Sequence, residues 1–131
     1  MPMADVVLDA SAVLALLNSE PGAAEVWAHL PGAFLSAVNA AEVAAKLVDA
    51  GADAEDAGRT LLRLGARILP FEQGDVVPAA HLRAASRSAG LSLGDRACLA
   101  LAARLAVPAL TADRAWAELN LDIEIRLIRG A

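Results

Sequence analysis

The chain of 131 residues contains one cysteine, Cys98, and only 3% aromatic residues. A single cysteine excludes an internal disulfide framework and a zinc site built on cysteines. Cys98 lies in the apolar run 97–103, where a small buried side chain is the expected role for it rather than a reactive thiol. Redox chemistry is therefore not indicated.

The sequence also lacks an apolar run long enough to cross a bilayer, although 57% of its residues are hydrophobic. Its longest apolar runs, 10–17 and 97–103, are far shorter than the roughly 20 residues of a membrane helix. Asp5 and Asp9 interrupt the only segment that resembles a signal peptide. We therefore expect a cytoplasmic protein without a membrane span, and one domain over residues 1–131.

Basic residues are in deficit, with 11 Lys and Arg against 16 Asp and Glu and a net charge of −5. Nucleic-acid-binding proteins usually carry a basic excess, so the overall charge gives no indication of such binding. Five arginines of the carboxyl-terminal half nevertheless gather within residues 83–114, and a solvated helix face is the simpler interpretation of any one of them. They are Arg83, Arg87, Arg96, Arg104 and Arg114.

Short apolar runs alternate along the chain with segments of helical periodicity that end at glycine. Strands are predicted at 4–8, 33–35, 67–71, 107–110 and 123–128. Helices are predicted at 10–17, 23–30, 37–50, 53–64, 76–89, 95–105 and 113–119. This alternation predicts an α/β fold, a three-layer αβα sandwich with a central, mainly parallel sheet.

Four acidic residues follow the predicted strands or begin the helices after them. Asp9 and Asp113 directly follow strands, Asp95 lies at a helix start, and Glu42 lies in the helix after the second strand. Each also has a structural interpretation. Asp9 and Asp113 are suited to helix N-caps, Asp95 completes a capping box with Ser92, and Glu42 is suited to a solvated helix face.

The set as a whole favours a functional interpretation. Functional sites of such folds form beyond the carboxyl ends of the strands, so we expect the four carboxylates to converge within a few ångströms of a common point. Clustered carboxylates repel one another unless a cation neutralises them. Oxygen ligands suit Mg²⁺ or Mn²⁺, and no cluster of His or Cys offers a zinc alternative.

Four short segments carry a resemblance to a known family. They are VVLDASA at 6–12, SAVNAAEV at 36–43, LGDRACLALA at 93–102 and LTADRAW at 110–116. In this order and at these distances they resemble the PIN-domain family, and more narrowly the VapC toxins of bacterial VapBC toxin–antitoxin pairs. The resemblance covers nearly the whole chain.

The resemblance implies a Mg²⁺- or Mn²⁺-dependent endoribonuclease with a parallel αβα sandwich. Asp9, Glu42, Asp95 and Asp113 match the acidic quartet that holds the metal and carries catalysis in this family. Ser11 and Thr111 match the hydroxyl positions that support the metal site. The implied partners are an RNA substrate, a small VapB-like antitoxin and a second copy of the chain.

Other functions are open at this point. A haloacid-dehalogenase-type phosphatase needs a second Asp where this chain has Ser11, and both this class and receiver domains need a distal lysine, whereas Lys46 lies in an early helix. A solitary PIN-domain nuclease for RNA processing is another alternative. So is a non-catalytic interaction module whose acids serve only as helix caps, although all four acid positions are intact.

Overall fold

The computed structural model describes residues 5–130, with only the backbone of Ser88, so the predicted start of the first strand at Ala4 lies outside it. Five parallel strands form one sheet in the order β3-β2-β1-β4-β5. They are β1 (Val6–Leu8), β2 (Ala33–Ser36), β3 (Arg67–Leu69), β4 (Ala109–Thr111) and β5 (Ile125–Leu127). The helices are α1 (Ala10–Leu17), α2 (Ala23–His29), α3 (Ala37–Asp49), α4 (Ala54–Arg63), α5 (Val76–Ala85) and α6 (Leu93–Leu105).

Helices cover both faces of the sheet. In β1, Val6 and Leu8 pack with the core beneath α1, α2, α3 and α4, whereas Val7 packs with the core beneath α5 and α6. Side chains alternate between the two faces along a strand, so a strand buried on both faces must be apolar throughout. This confirms the predicted three-layer αβα sandwich, and the sheet is entirely parallel.

The strand order changes direction between β1 and β4. The chain proceeds outward from β1 to β2 and β3, and then returns to place β4 on the other side of β1. Crevices form at the carboxyl edge of a parallel sheet where the strand order reverses. In the paired register Leu8 lies beside Leu110. Asp9, which directly follows β1, is therefore next to Thr111, the last residue of β4.

Several predicted boundaries shift for local reasons. The helix predicted at 95–105 begins at Leu93 because Ser92 is its N-cap. The strand predicted at 107–110 begins at Ala109, since Ala106 adopts a left-handed conformation and the N–H of Val107 still bonds to α6. The strand predicted at 67–71 ends at Leu69, just before Pro70, which has no N–H to donate.

Two predicted helices are shorter than expected. The segment 76–89 divides at Ser86 into α5 and a 3₁₀ turn, Arg87–Ala89. The segment 113–119 forms only a 3₁₀ helix, Arg114–Glu118, anchored by the fully buried Trp116. Within residues 5–130, every helix is too short or too polar to pass through a bilayer.

A candidate metal centre at the carboxyl edge of the sheet

Asp9 ends β1 and is the N-cap of α1. Its carboxylate is 4% exposed and accepts the N–H of Ala12 at 2.8 Å. It also accepts the hydroxyl of Ser11, at 2.7 Å to Oδ1, and the hydroxyl of Thr111, at 2.6 Å to Oδ2. The capping role that the sequence indicated for Asp9 is therefore present, and the same carboxylate joins two strands.

Ser11 and Thr111 link the ends of β1 and β4. Ser11 Oγ accepts the N–H of Ala112 at 2.9 Å, and Thr111 Oγ1 accepts the N–H of Asp113 at 3.0 Å. Each hydroxyl then donates its own proton to Asp9. The two residues expected to support the site thus fix the Asp9 carboxylate from both sides.

The electrostatic setting of Asp9 is unfavourable for its charge. Burial raises the pKa of Asp9 from 3.8 to about 6. The hydrogen bonds from Thr111, Ala12 and Ser11 act in the opposite direction, and the charge of Asp95 adds to the rise. A buried, unneutralised carboxylate lies at the centre of the site.

Glu42 lies on the exposed side of α3, and its carboxylate points to the start of α6. Its Oε1 accepts the side-chain amide of Asn39 at 2.8 Å. Its carboxylate also lies directly over Gly94, where an added Cβ would come within 2.6 Å of Oε2. Within the described residues Lys46, four positions further on, forms no ion pair with it.

Asp95 forms the capping box that its spacing indicated. Its Oδ2 accepts the N–H of Ser92 at 3.0 Å, and its own N–H donates to Ser92 Oγ at 3.1 Å. This fixes the carboxylate in the first turn of α6. The structure therefore places Asp95 beside the Gly94 surface on which Glu42 lies.

Asp113 follows β4 and is exposed. Its Oδ1 accepts the N–H of Ala115 at 3.0 Å and caps the 3₁₀ helix Arg114–Glu118. Its connection to Asp9 runs through its backbone N–H and the hydroxyl of Thr111.

Cys98 shows which carboxylates share one environment. Burial raises the pKa of its thiol far above the ordinary value, and the charges of Asp9, Asp95 and Glu42 add to this. The charges of three of the four predicted acids therefore act on one side chain of α6. Among residues 5–130, however, no three His, Cys, Asp or Glu side chains lie close enough together to hold a metal ion already.

The donor set fits a hard divalent cation. Within the described part of the chain, no Lys, Arg or His forms an ion pair with Asp9, Glu42, Asp95 or Asp113. A buried carboxylate without a cationic partner is costly. Carboxylate oxygens are the preferred ligands of Mg²⁺ and Mn²⁺, so such an ion suits both the charge and the chemistry.

Of the arginines that the sequence groups within residues 83–114, Arg104 has a structural role. Arg104 bonds to Asp75 at 3.1 Å and to Glu72 at 3.2 Å, which fixes the segment before α5. Arg96 follows Asp95, and Arg114 follows Asp113 with its guanidinium against Gly130. In the described residues, neither Arg96 nor Arg114 pairs with a carboxylate.

Two hollows lie on opposite edges of the sheet. A cavity of about 850 Å³ lies between α5, α6 and the residues that enter β4 and β5, and none of the four acids lines it. An open apolar groove of about 670 Å³ runs between α3 and Phe71, and Glu42 forms part of its wall. Only this groove adjoins the candidate metal centre.

Sequence reasoning did not single out Asn39 or Gly94. Asn39 is 1% exposed and joins Glu42 to the Gly94 carbonyl. The spacing of Asn39 and Glu42, three positions apart on one helix, was the available signal, since residues at this spacing are neighbours. The contact with Gly94, 55 positions away, could not be obtained from local spacing.

Solved structures show the same fold. The FitAB complex bound to a DNA fragment is 23% identical, with a TM-score of 0.70 and 94% of each chain covered. DNA-bound VapBC from Salmonella typhimurium is 14% identical, with a TM-score of 0.72 and coverage of 97% of this chain and 100% of the other. VapBC-1 from nontypeable Haemophilus influenzae is 18% identical, with a TM-score of 0.71 and coverage of 94% and 97%.

A search of curated proteins gave no match. The family model described as PIN domain matches residues 6–121, a span that contains all four candidate acids. The chain therefore belongs to the PIN domain family.

Proposed function

We propose that this chain is a metal-dependent endoribonuclease and the VapC-type toxin of a toxin–antitoxin pair. The observation that carries the proposal is the buried carboxylate of Asp9, which pairs with no cationic side chain within the described residues. The charges of Asp9, Asp95 and Glu42 all act on Cys98. Membership of the PIN domain family supports it. We also propose a cytoplasmic location, where an RNA substrate is available.

Asp9, Glu42, Asp95 and Asp113 would hold Mg²⁺ or Mn²⁺. A divalent ion bound there stabilises the charge that develops on a phosphodiester during hydrolysis. Ser11 and Thr111 keep the Asp9 carboxylate in place through hydrogen bonds of 2.7 and 2.6 Å. Arg114 follows Asp113 and is exposed, so it is suited to bind a phosphate of the RNA backbone, whereas Nη1 of Arg96 donates to the carbonyl of Ala79 at 3.5 Å.

A bound cation would hold the four carboxylates together in one site. Because carboxylates repel one another, a cation held there would offset the repulsion among Asp9, Glu42 and Asp95. The exposed carboxylate of Asp113 would join by a change of its side-chain rotamer.

Cleavage of a mixed RNA pool tests this function. The wild type is expected to cut RNA with Mg²⁺ or Mn²⁺ and to stop when EDTA removes the metal. Asp95→Asn should lose at least the roughly 10²–10³-fold typical of removing one electrostatic contributor. It should remain folded, because an Asn oxygen can still accept the N–H of Ser92. Cleavage that is insensitive to EDTA, or that survives in Asp95→Asn, contradicts the proposal.

Gly94→Ala should weaken catalysis without loss of stability. The added methyl would occupy the position of the Glu42 carboxylate, whose flexible side chain would swing away. Alanine favours a helix over glycine by up to about 1 kcal/mol, so the melting temperature should hold or rise. RNA cleavage and thermal melting measure the two effects.

Gly58→Ala is the matched control for Gly94→Ala. Gly58 lies within α4, and an added Cβ there would meet nothing within 4 Å. Gly58→Ala should therefore gain the same helical stability and keep full cleavage. Equal activity in the two variants would show that the position of the Glu42 carboxylate over Gly94 does not matter for the reaction.

We propose two protein partners, a small VapB-like antitoxin and a second copy of the chain. The three solved relatives are FitAB or VapBC proteins, which supports an antitoxin partner. Ala37, Ala41, Ala45 and Val48 form an exposed apolar face of α3, as expected for a contact surface, whereas α1 is mostly covered. Co-expression with the neighbouring gene tests the antitoxin. A small basic protein that co-purifies with the chain would distinguish a toxin from a solitary nuclease.

A further inference from the structure

Asn39 is the polar contact between α3 and the start of α6. It is 1% exposed, and its Nδ2 donates to Glu42 Oε1 at 2.8 Å and to the carbonyl of Gly94 at 3.0 Å. Glu42 lies three positions after Asn39 on α3, about one helical turn further along, and Gly94 directly precedes Asp95 on α6. One amide group therefore connects the elements that carry two of the candidate metal ligands.

The orientation of this amide follows from its partners. A carboxylate and a backbone carbonyl can only accept hydrogen bonds, so the nitrogen of Asn39 must face both of them. Its Oδ1 is then the buried oxygen that has no hydrogen-bond partner within the described residues. A buried acceptor without a partner is unfavourable, so this arrangement is poorly suited to a purely structural link.

Glu42 needs such a restraint. The residue is exposed, and a free glutamate side chain in water samples many rotamers. Two contacts restrict it: the amide of Asn39 holds Oε1, and the bare backbone of Gly94 leaves space for the carboxylate. The carboxylate thus lies against the turn that presents Asp95.

We propose that Asn39 is a positioning residue of the metal centre, whose amide holds the Glu42 carboxylate against Gly94 so that Glu42 and Asp95 reach the same cation. This role rests on the proposed metal-dependent function. Asn39 acts through Glu42 and does not itself touch the substrate. Residues that orient metal ligands typically change metal affinity about 10- to 100-fold when they are replaced.

Manganese binding provides a test that does not depend on RNA cleavage. Mn²⁺ affinity is measured by calorimetry for the wild type, Asn39→Leu, Glu42→Ala and the double variant. Asn39→Leu should weaken Mn²⁺ binding about 10- to 100-fold. In the Glu42→Ala background the same substitution should have no further effect, because the group that Asn39 positions is gone.

The controls separate positioning from folding. Asn39→Leu should melt as a folded protein for two reasons. Leucine has the same branching and the same number of heavy atoms as asparagine. The Gly94 carbonyl lies within α6, so a backbone N–H of the helix can still donate to it. Asn120→Leu makes the same chemical change at an exposed residue by the opposite cavity and should bind Mn²⁺ as the wild type does. Should Asn39→Leu fail to fold, Gly94→Ala displaces Glu42 from the other side and must show the same dependence on Glu42 for the proposal to stand.

The outcomes are distinct. Wild-type affinity in Asn39→Leu, or an equal further loss in the Glu42→Ala background, overturns the role of Asn39. A wild type that binds Mn²⁺ but cuts no RNA overturns the ribonuclease function, while the binding data still decide the role of Asn39. A wild type that binds no Mn²⁺ overturns both.

Discussion

Asp9→Asn is expected to abolish RNA cleavage and, at neutral pH, to raise the melting temperature of protein prepared without metal. The Asp9 carboxylate is buried and close to the charge of Asp95, so its ionisation costs stability when no cation is bound. Asparagine keeps an oxygen for the N–H of Ala12 and removes the charge. It also removes a carboxylate from the proposed metal site.

The two effects differ in sign and are both large. Loss of one metal-binding carboxylate should reduce cleavage by at least about 10²–10³-fold. The difference between a pKa of 3.8 and one of about 6 corresponds to about 3 kcal/mol at pH 7. Since asparagine also gives up charge-assisted hydrogen bonds, we expect a gain of about 1–3 kcal/mol, measured by thermal melting in EDTA.

Asp53→Asn is the matched control. Asp53 is the N-cap of α4 and accepts the N–H of Glu55 at 2.9 Å, so it has the capping role of Asp9 at an exposed site. Hydrogen bonds with the Glu55 side chain and with backbone N–H groups lower the pKa of Asp53, so loss of its charge should not stabilise the fold. If Asp9→Asn instead destabilises the protein by several kcal/mol, Asp9 is a structural cap and the interaction-module alternative gains support.

The contribution of Asp9 to the stability of wild-type protein without metal should fall as pH rises from 4 to 7. Between the unfolded pKa of 3.8 and the folded pKa of about 6, the folded chain holds a proton on Asp9 that the unfolded chain has released. The free energy of unfolding therefore decreases with rising pH across this window, by up to about 3 kcal/mol. Above about pH 7 the penalty is complete, and a cation that neutralises Asp9 should remove it.

Urea unfolding at several pH values, with and without Mg²⁺, measures this dependence. Other carboxylates titrate in the same range, so the informative quantity is the difference between the wild type and Asp9→Asn. The advantage of the variant should be full at pH 7.5 in EDTA, vanish near pH 4, and shrink at pH 7.5 when Mg²⁺ is added. A difference that stays constant with pH would show that the charge of Asp9 is not the cause.

The fold could be predicted because its determinants are local. Val6, Val7 and Leu8 form an uninterrupted apolar strand, which only a sheet covered on both faces accommodates. Capping residues then mark the helix starts, as Ser92 and Asp95 do for α6. The boundaries that were wrong, at Ala106 and Ser86, depend on the backbone conformation that tertiary contacts select.

The candidate site was predictable only in part. The position of Asp9 at the end of β1 follows from the strand pattern, since parallel strands bring their carboxyl ends to one edge. The position of the Glu42 carboxylate over Gly94 depends on how α3 packs against α6. No local sequence pattern encodes this packing. For the same reason, the convergence of the four carboxylates stays a prediction: the charges of Asp9, Asp95 and Glu42 all act on Cys98, and Asp113 is connected to Asp9 through Thr111.

The most direct test of the metal centre is X-ray diffraction at the manganese absorption edge from crystals grown with Mn²⁺. The account predicts an anomalous peak at the carboxyl edge of the sheet, with oxygens of Asp9 and Asp95 at about 2.1 Å, as coordination of such small divalent ions requires. Glu42 should contact the same ion or a water bound to it. A well-diffracting crystal with no peak there, or with a peak only at exposed acids such as Asp53, would contradict the account.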